Sequence, residues 1–254
     1  MSFLDRLSYL AGNSGLLISR PQRIYMLSHM RSRSSLLSHI LGSNPEISGY
    51  SELSIKYRDR FSCLDQKIKL HQDGLVVDSS VKLFDKILHN SFDFKSTSPL
   101  NSNGVDVLIM LRPPESTIKS IVTMGEKNGN TKYADVNWAS KYYVSRVEKL
   151  CTIANELERF FFVKSDDIVE NSEVTLSKLS NFLRLQNPLT VEYGSFNLTG
   201  KKKSGDTSEN IKAGKIVKTK ANDNIIISNA KLSELEEFYN NSIENLKSLS
   251  ADNI

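Results

Sequence analysis

Two arginines and three serines fall in five consecutive positions, Arg31-Ser32-Arg33-Ser34-Ser35, the densest group of anion-binding side chains in the sequence. A short apolar run, Ile24-Tyr25-Met26-Leu27, precedes them, and Leu36, Leu37, Ile40 and Leu41 follow at helical spacing, which predicts strand, loop and helix in that order. Such a loop turns main-chain N–H groups and the positive end of the helix dipole toward one point, where guanidinium and hydroxyl groups add further donors. The ligand that chemistry suits is a phosphate. Residue types alone give equal weight to a plainer account, in which Ser34 or Ser35 caps the helix and the arginines are solvated. The chain has neither Gly-x-x-x-x-Gly-Lys-Ser/Thr nor Gly-x-Gly-x-x-Gly, so the familiar nucleotide fingerprints do not decide between them.

Other residues with chemistry lie downstream. Gly42, Pro45 and Gly49 mark a loop that ends near Glu52, a carboxylate suited to removing a hydroxyl proton or, more plainly, to stabilising the first turn of a helix. Leu75-Val76-Val77 reads as a second buried strand, and the Asp78–Asn90 segment after it holds three cation candidates, Lys82, Lys86 and His89. Lysines at such places are most often solvated, and a lone histidine is most often structural. Val105–Leu111 is an almost unbroken apolar run, typical of a strand buried on both faces, and it ends at Arg112. Pro113-Pro114 and Glu115 then open a helix with Ile118, Ile121 and Val122 on one face, and Ser120 falls about two turns into it. Trp138, Tyr142 and Tyr143 belong to a long amphipathic helix between Asn130 and Leu157 and are assigned to core packing.

These segments, in this order, resemble the sulfotransferases that use 3′-phosphoadenosine 5′-phosphosulfate (PAPS). Met30-Arg-Ser-Arg-Ser-Ser-Leu-Leu37 is similar to their 5′-phosphosulfate loop, with Arg33 where the family usually has glycine. The resemblance implies that Arg31, Ser32, Arg33, Ser34 and Ser35 hold the 5′ end of the nucleotide. Arg112 with Ser120 resembles the 3′-phosphate site, Pro-Pro replacing the more usual Asp-Pro. Glu52, at an offset from Arg31 matching the catalytic glutamate of tyrosylprotein sulfotransferases, is implied as the base, with Glu46 a distant second. Val81-Lys82-Leu83-Phe84 resembles the lysine-bearing turn beside the leaving phosphate, so Lys82 is implied there ahead of Lys86 and His89. The Asp166–Leu183 stretch resembles a segment that ends the family's core. Gly200-Lys-Lys-Lys-Ser-Gly-Asp is similar to the terminal loop over the nucleotide, with Lys201 and Lys202 implied at the 3′-phosphate.

The resemblance runs from about Arg23 to Ile216. It implies transfer of a sulfuryl group from PAPS to a hydroxyl of a carbohydrate, peptide or small molecule, leaving adenosine 3′,5′-bisphosphate. Two other accounts stand beside it: a small-molecule kinase of related architecture, and a catalytically silent nucleotide-binding or scaffold protein.

The 254 residues suit one α/β domain over 1–254 with a central, mostly parallel sheet, and a closing helix near 231–249. A net charge of +4 is too mild for a nucleic-acid binder. Cys63 and Cys151 show no metal-ligand spacing with the four histidines, so no metal is expected, and the reduced thiols favour a cytoplasmic setting. No stretch has the continuous apolar character of a signal peptide or membrane span.

Overall fold

A computed structural model describes residues 3–59, 61–197, 199, 209–217 and 224–251. Its centre is a five-stranded sheet of β1 (Gln22–Leu27), β2 (Ile47–Ser48), β3 (Lys82–Ile87), β4 (Val105–Leu111) and β5 (Phe161–Lys164), in spatial order β2-β3-β1-β4-β5 with every pairing parallel. The helices are α1 (Phe3–Gly12), α2 (Gly15–Ile18), α3 (Ser34–Gly42), α4 (Ser62–Gln72), α5 (Pro114–Lys127), α6 (Val136–Glu156), α7 (Asp167–Glu170), α8 (Ser172–Phe182) and α9 (Asn229–Leu249). Parallel strands need crossovers, and helices on both faces bury the sheet, which is why β1 and β4 read as continuous apolar runs. One face packs Tyr25, Leu27, Val107 and Ile109 against α4, α5, α6 and α9. The other packs Ile24, Met26, Leu108 and Met110 against α3 and α8.

The expected opening strand, central strand, long amphipathic helix and closing helix are all present. The second strand is not where local pattern put it. Leu75-Val76-Val77 is an irregular stretch after α4: Leu75 N–H closes the helix end onto Leu70 O at 3.0 Å, and Val76 is 54% exposed. The strand beside β1 begins at Lys82 instead, inside the segment read as a turn, and pairs Gln22 with Lys82 through Leu27 with Ile87. A three-residue apolar run is too short to fix a strand, whereas Lys82–Ile87 is buried throughout and pairs on both sides. Among the described residues no helix is long and apolar enough to cross a membrane, and Cys63 and Cys151 are both free thiols.

Candidate active site

The site lies at the carboxyl ends of β1, β3 and β4, where β1 and β4 are neighbours whose helices lie on opposite faces of the sheet. After β1 the chain runs through Ser28 and His29 into the arginine-serine loop. Arg31 (φ 58°) and Arg33 (φ 67°) both adopt left-handed backbone, and α3 starts at once with Ser34 and Ser35. Left-handed residues turn a loop tightly enough to bring its N–H groups to one side, the arrangement that favours an anion. Ser32 is fully buried, with its Oγ 2.8 Å from Ser28 Oγ, which donates to Met110 O at 2.7 Å. The loop is thereby fastened to β4. Tyr142 secures it from α6, accepting from Met30 N–H at 2.8 Å and donating to Leu88 O at 2.8 Å.

The two arginine motifs meet. Arg112 Nη1 donates to the main-chain carbonyl of Arg31 at 2.8 Å, and Arg31 Nε donates to Ser120 Oγ at 2.9 Å. Arg31, Arg112 and Ser120 therefore share one corner of the site, on the same side of the sheet. His29 joins the same two segments below them. Its Nδ1 lies 2.9 Å from Met30 O and its Nε2 accepts from Arg112 N–H at 3.1 Å, which makes it the neutral tautomer with the proton on Nδ1. Burial pushes His29 down to about 3, so it carries no charge into this corner. Arg112 is lowered to about 10, first by burial and then by its neighbour Arg33, with Asp166 acting in the opposite direction.

The structure corrects the placement of Lys82. It opens β3, at the opposite end of the sheet from the arginine-serine loop, where its Nζ bonds Gln22 Oε1 and lies 3.4 Å from Asp106 Oδ2. Arg159 and Arg184 bind the other oxygen of Asp106 at 2.9 and 2.7 Å, so Lys82 belongs to a charge cluster that ties strand starts together. Lys86, one of its two rivals, is the lysine at the loop: its ammonium is buried and donates to Ser35 Oγ at 3.1 Å. His89 follows β3, its ring 5.7 Å from that of Tyr142, and burial lowers its pKa. Lys201 and Lys202 lie outside the described residues.

Glu52 comes to the same region on a loop that passes very close to β3. A Cβ on Gly49 (φ 118°) would stand 2.6 Å from Phe84 O, and one on Gly42 would meet Tyr50 Cβ at 2.6 Å, so both glycines are required for the approach. Burial raises the pKa of Glu52, while the charges of Lys86 and Arg146 offset part of that rise. Just beyond it, the buried Asp85 of β3 accepts from Leu53 N–H at 2.9 Å and from Tyr57 Oη at 2.7 Å, fixing the chain that carries Glu52. Burial pushes Asp85 up to about 7; its hydrogen bonds oppose the shift and the charge of Glu52 adds to it.

Arg146 completes the frame from α6. Fully buried, it donates from Nε to Ser28 O at 2.8 Å and from Nη2 to Ile87 O at 2.9 Å, and its Nη1 meets Asn90 Oδ1 at 2.8 Å and the Asp93 carboxylate. One guanidinium thus sets the spacing between the ends of β1 and β3. Sequence reasoning found neither Arg146 nor His29 and Asp85, because each looks like an ordinary polar residue of its own segment and its deciding partners are distant in the chain.

No family model and no curated protein matches the chain significantly. Solved structures do match it, at low sequence identity. The sulfotransferase domain of the Synechococcus olefin synthase aligns with a TM-score of 0.58 at 17% identity, covering 87% of this chain and 96% of that one. A sulfotransferase from Alicyclobacillus acidocaldarius gives 0.53 at 12% identity over 91% and 96%. A sulfotransferase from Mycobacterium tuberculosis gives 0.52 at 13% identity over 73% of each chain. The chain has the sulfotransferase fold.

Proposed function

We propose that this protein is a sulfotransferase that moves the sulfuryl group of PAPS onto a hydroxyl of an acceptor. PAPS supplies an electrophilic sulfur: as the acceptor oxygen bonds to it in line, the sulfur–oxygen bond to the 5′-phosphate breaks. Glu52 takes the acceptor proton, and its raised pKa makes it a stronger base than an exposed glutamate. Lys86, not Lys82, holds a positive charge beside Ser35, where charge grows on the leaving phosphate, with Ser32, Ser34 and the loop N–H groups as donors. Arg112 and Ser120, with the side chain of Arg31, take the 3′-phosphate. The acceptor class is left to the loops around Glu52 and His89, and carbohydrate, peptide and small-alcohol hydroxyls all suit a carboxylate base.

The observation that carries this reading is the junction of Arg112, Arg31 and Ser120, which joins the corner after β4 directly to the arginine-serine loop after β1. Against a kinase stands the absence of the Gly-Lys-Ser/Thr loop from the sequence. Titration calorimetry with adenosine 3′,5′-bisphosphate and with AMP tests the reading. The bisphosphate should bind at least about tenfold tighter, the worth of one charge-assisted contact. Equal affinities would remove the PAPS site, and normal binding with no turnover on a broad acceptor panel would favour the silent binder.

A further inference from the structure

Arg33 occupies a backbone conformation that glycine holds freely and an arginine does not: φ is 67° and the residue directly precedes the first turn of α3. Strain of that kind persists where the side chain has a use. The side chain of Arg33 leaves the loop after β1, passes the end of β4 and reaches the end of β5, about two strand spacings of roughly 4.8 Å each. There Nη1 lies 3.4 Å from Ser165 O and pairs with the carboxylate of Asp166. On the way it comes close enough to Arg112 to be the largest charge opposing that guanidinium, and Arg112 Nε is buried with no hydrogen-bond partner. Three guanidinium groups, of Arg31, Arg33 and Arg112, therefore crowd one corner, and Asp166 pairs with Arg33 there and partly offsets the charge around Arg112.

We propose that Asp166 stands in for a ligand anion, and that Arg33 exchanges it for the 3′-phosphate of the bound nucleotide, becoming a third guanidinium that selects for a doubly charged end. This rests on the PAPS reading above. Both ion-pair partners are partly exposed, with side chains 21% and 32% accessible, so Arg33 can rotate without unpacking the core. A phosphate dianion offers more charge and more acceptor oxygens than one carboxylate, which gives the exchange its direction. Arg112 Nε would gain an acceptor in the same step.

Arg33→Gly is the decisive variant, because glycine suits the left-handed backbone and the loop keeps its shape. Its affinity for adenosine 3′,5′-bisphosphate should fall about tenfold, the equivalent of one charged contact, while its affinity for AMP changes less than about twofold. Asp166→Asn should act in the opposite direction, tightening the bisphosphate severalfold by removing the competitor. Thermal melts of both variants report any loss of folding. An Arg33→Gly protein that keeps the wild-type preference for the bisphosphate overturns the exchange and leaves the PAPS reading standing. A fall in affinity that is equal for both nucleotides, accompanied by a lowered melting temperature in both variants, makes Arg33–Asp166 a structural tie and also overturns it. A wild type that binds AMP as tightly as the bisphosphate overturns the PAPS reading itself.

Discussion

Lys86 Nζ donates to Ser35 Oγ at 3.1 Å, linking the carboxyl end of β3 to the first turn of α3. The contact places a buried cation at the start of the helix, where the dipole is also positive. Two positive features at one point repel each other unless an anion lies between them. The carboxylate of Glu52 supplies part of that balance in the free protein, since Lys86 is the charge that most lowers its pKa.

The two lysines of β3 should therefore behave differently. Lys86→Met should lower turnover by about 10²- to 10³-fold, the usual cost of one group that stabilises developing charge. Lys82→Met should leave turnover within a few-fold and lower the melting temperature, because it breaks up the cluster around Asp106. Steady-state rates with labelled PAPS, set beside thermal melts, separate the two, and equal losses of rate would refute the assignment of Lys86.

Glu52→Gln keeps the shape of the side chain and removes the base. Turnover should fall by about 10²- to 10⁴-fold with nucleotide affinity undiminished. In the wild type the rate should rise with pH through the ionisation of Glu52, and this limb should lie above the ordinary glutamate range, because burial raises that pKa. A wild-type pH profile that the variant reproduces at full rate would exclude Glu52 as the base.

Asp85 makes a prediction about stability. Its folded pKa is about 7, against an ordinary aspartate near 3.8. A raised carboxylate pKa means that the folded state binds the proton more tightly. The resulting stabilisation is complete below the unfolded pKa and is lost as pH rises through the folded one, at up to about 1.4 kcal/mol per pH unit. Between pH 4 and pH 7 the wild type should thus lose stability from this group, whereas Asp85→Asn, which still accepts from Leu53 N–H, should show a flatter profile. Denaturant melts across that range measure the slope, and an unchanged slope in the variant would show that Asp85 does not titrate there.

Much of the scaffold was written locally. The alternation of apolar runs with helical spacing gives β1, α3, β4, α5, α6 and α9, because burial of a strand or of one helix face leaves its period in the sequence. The arginine-serine loop and Arg112 were legible for the same reason: each sits at the junction of two such elements, where open α/β sheets bind ligands. Lys82 and Lys86 were not separable in that way. Both project to one face of the same strand, and four residues at about 3.3 Å each put them some 13 Å apart. Only the pairing of Gln22 with Lys82 and of Leu27 with Ile87 decides which one reaches the loop.

The sequence by itself determined most of the elements and the place of the arginine-serine loop between β1 and α3, since these depend on neighbours within a few positions. The tertiary structure decided what depends on register and on contacts between distant segments. It set Lys86 against Ser35, brought Arg112 to the carbonyl of Arg31, set Arg33 against Asp166 and placed His29, Asp85 and Arg146 beneath these contacts. A buried polar side chain leaves no periodic trace, and its partners are fixed only when the sheet has closed around it.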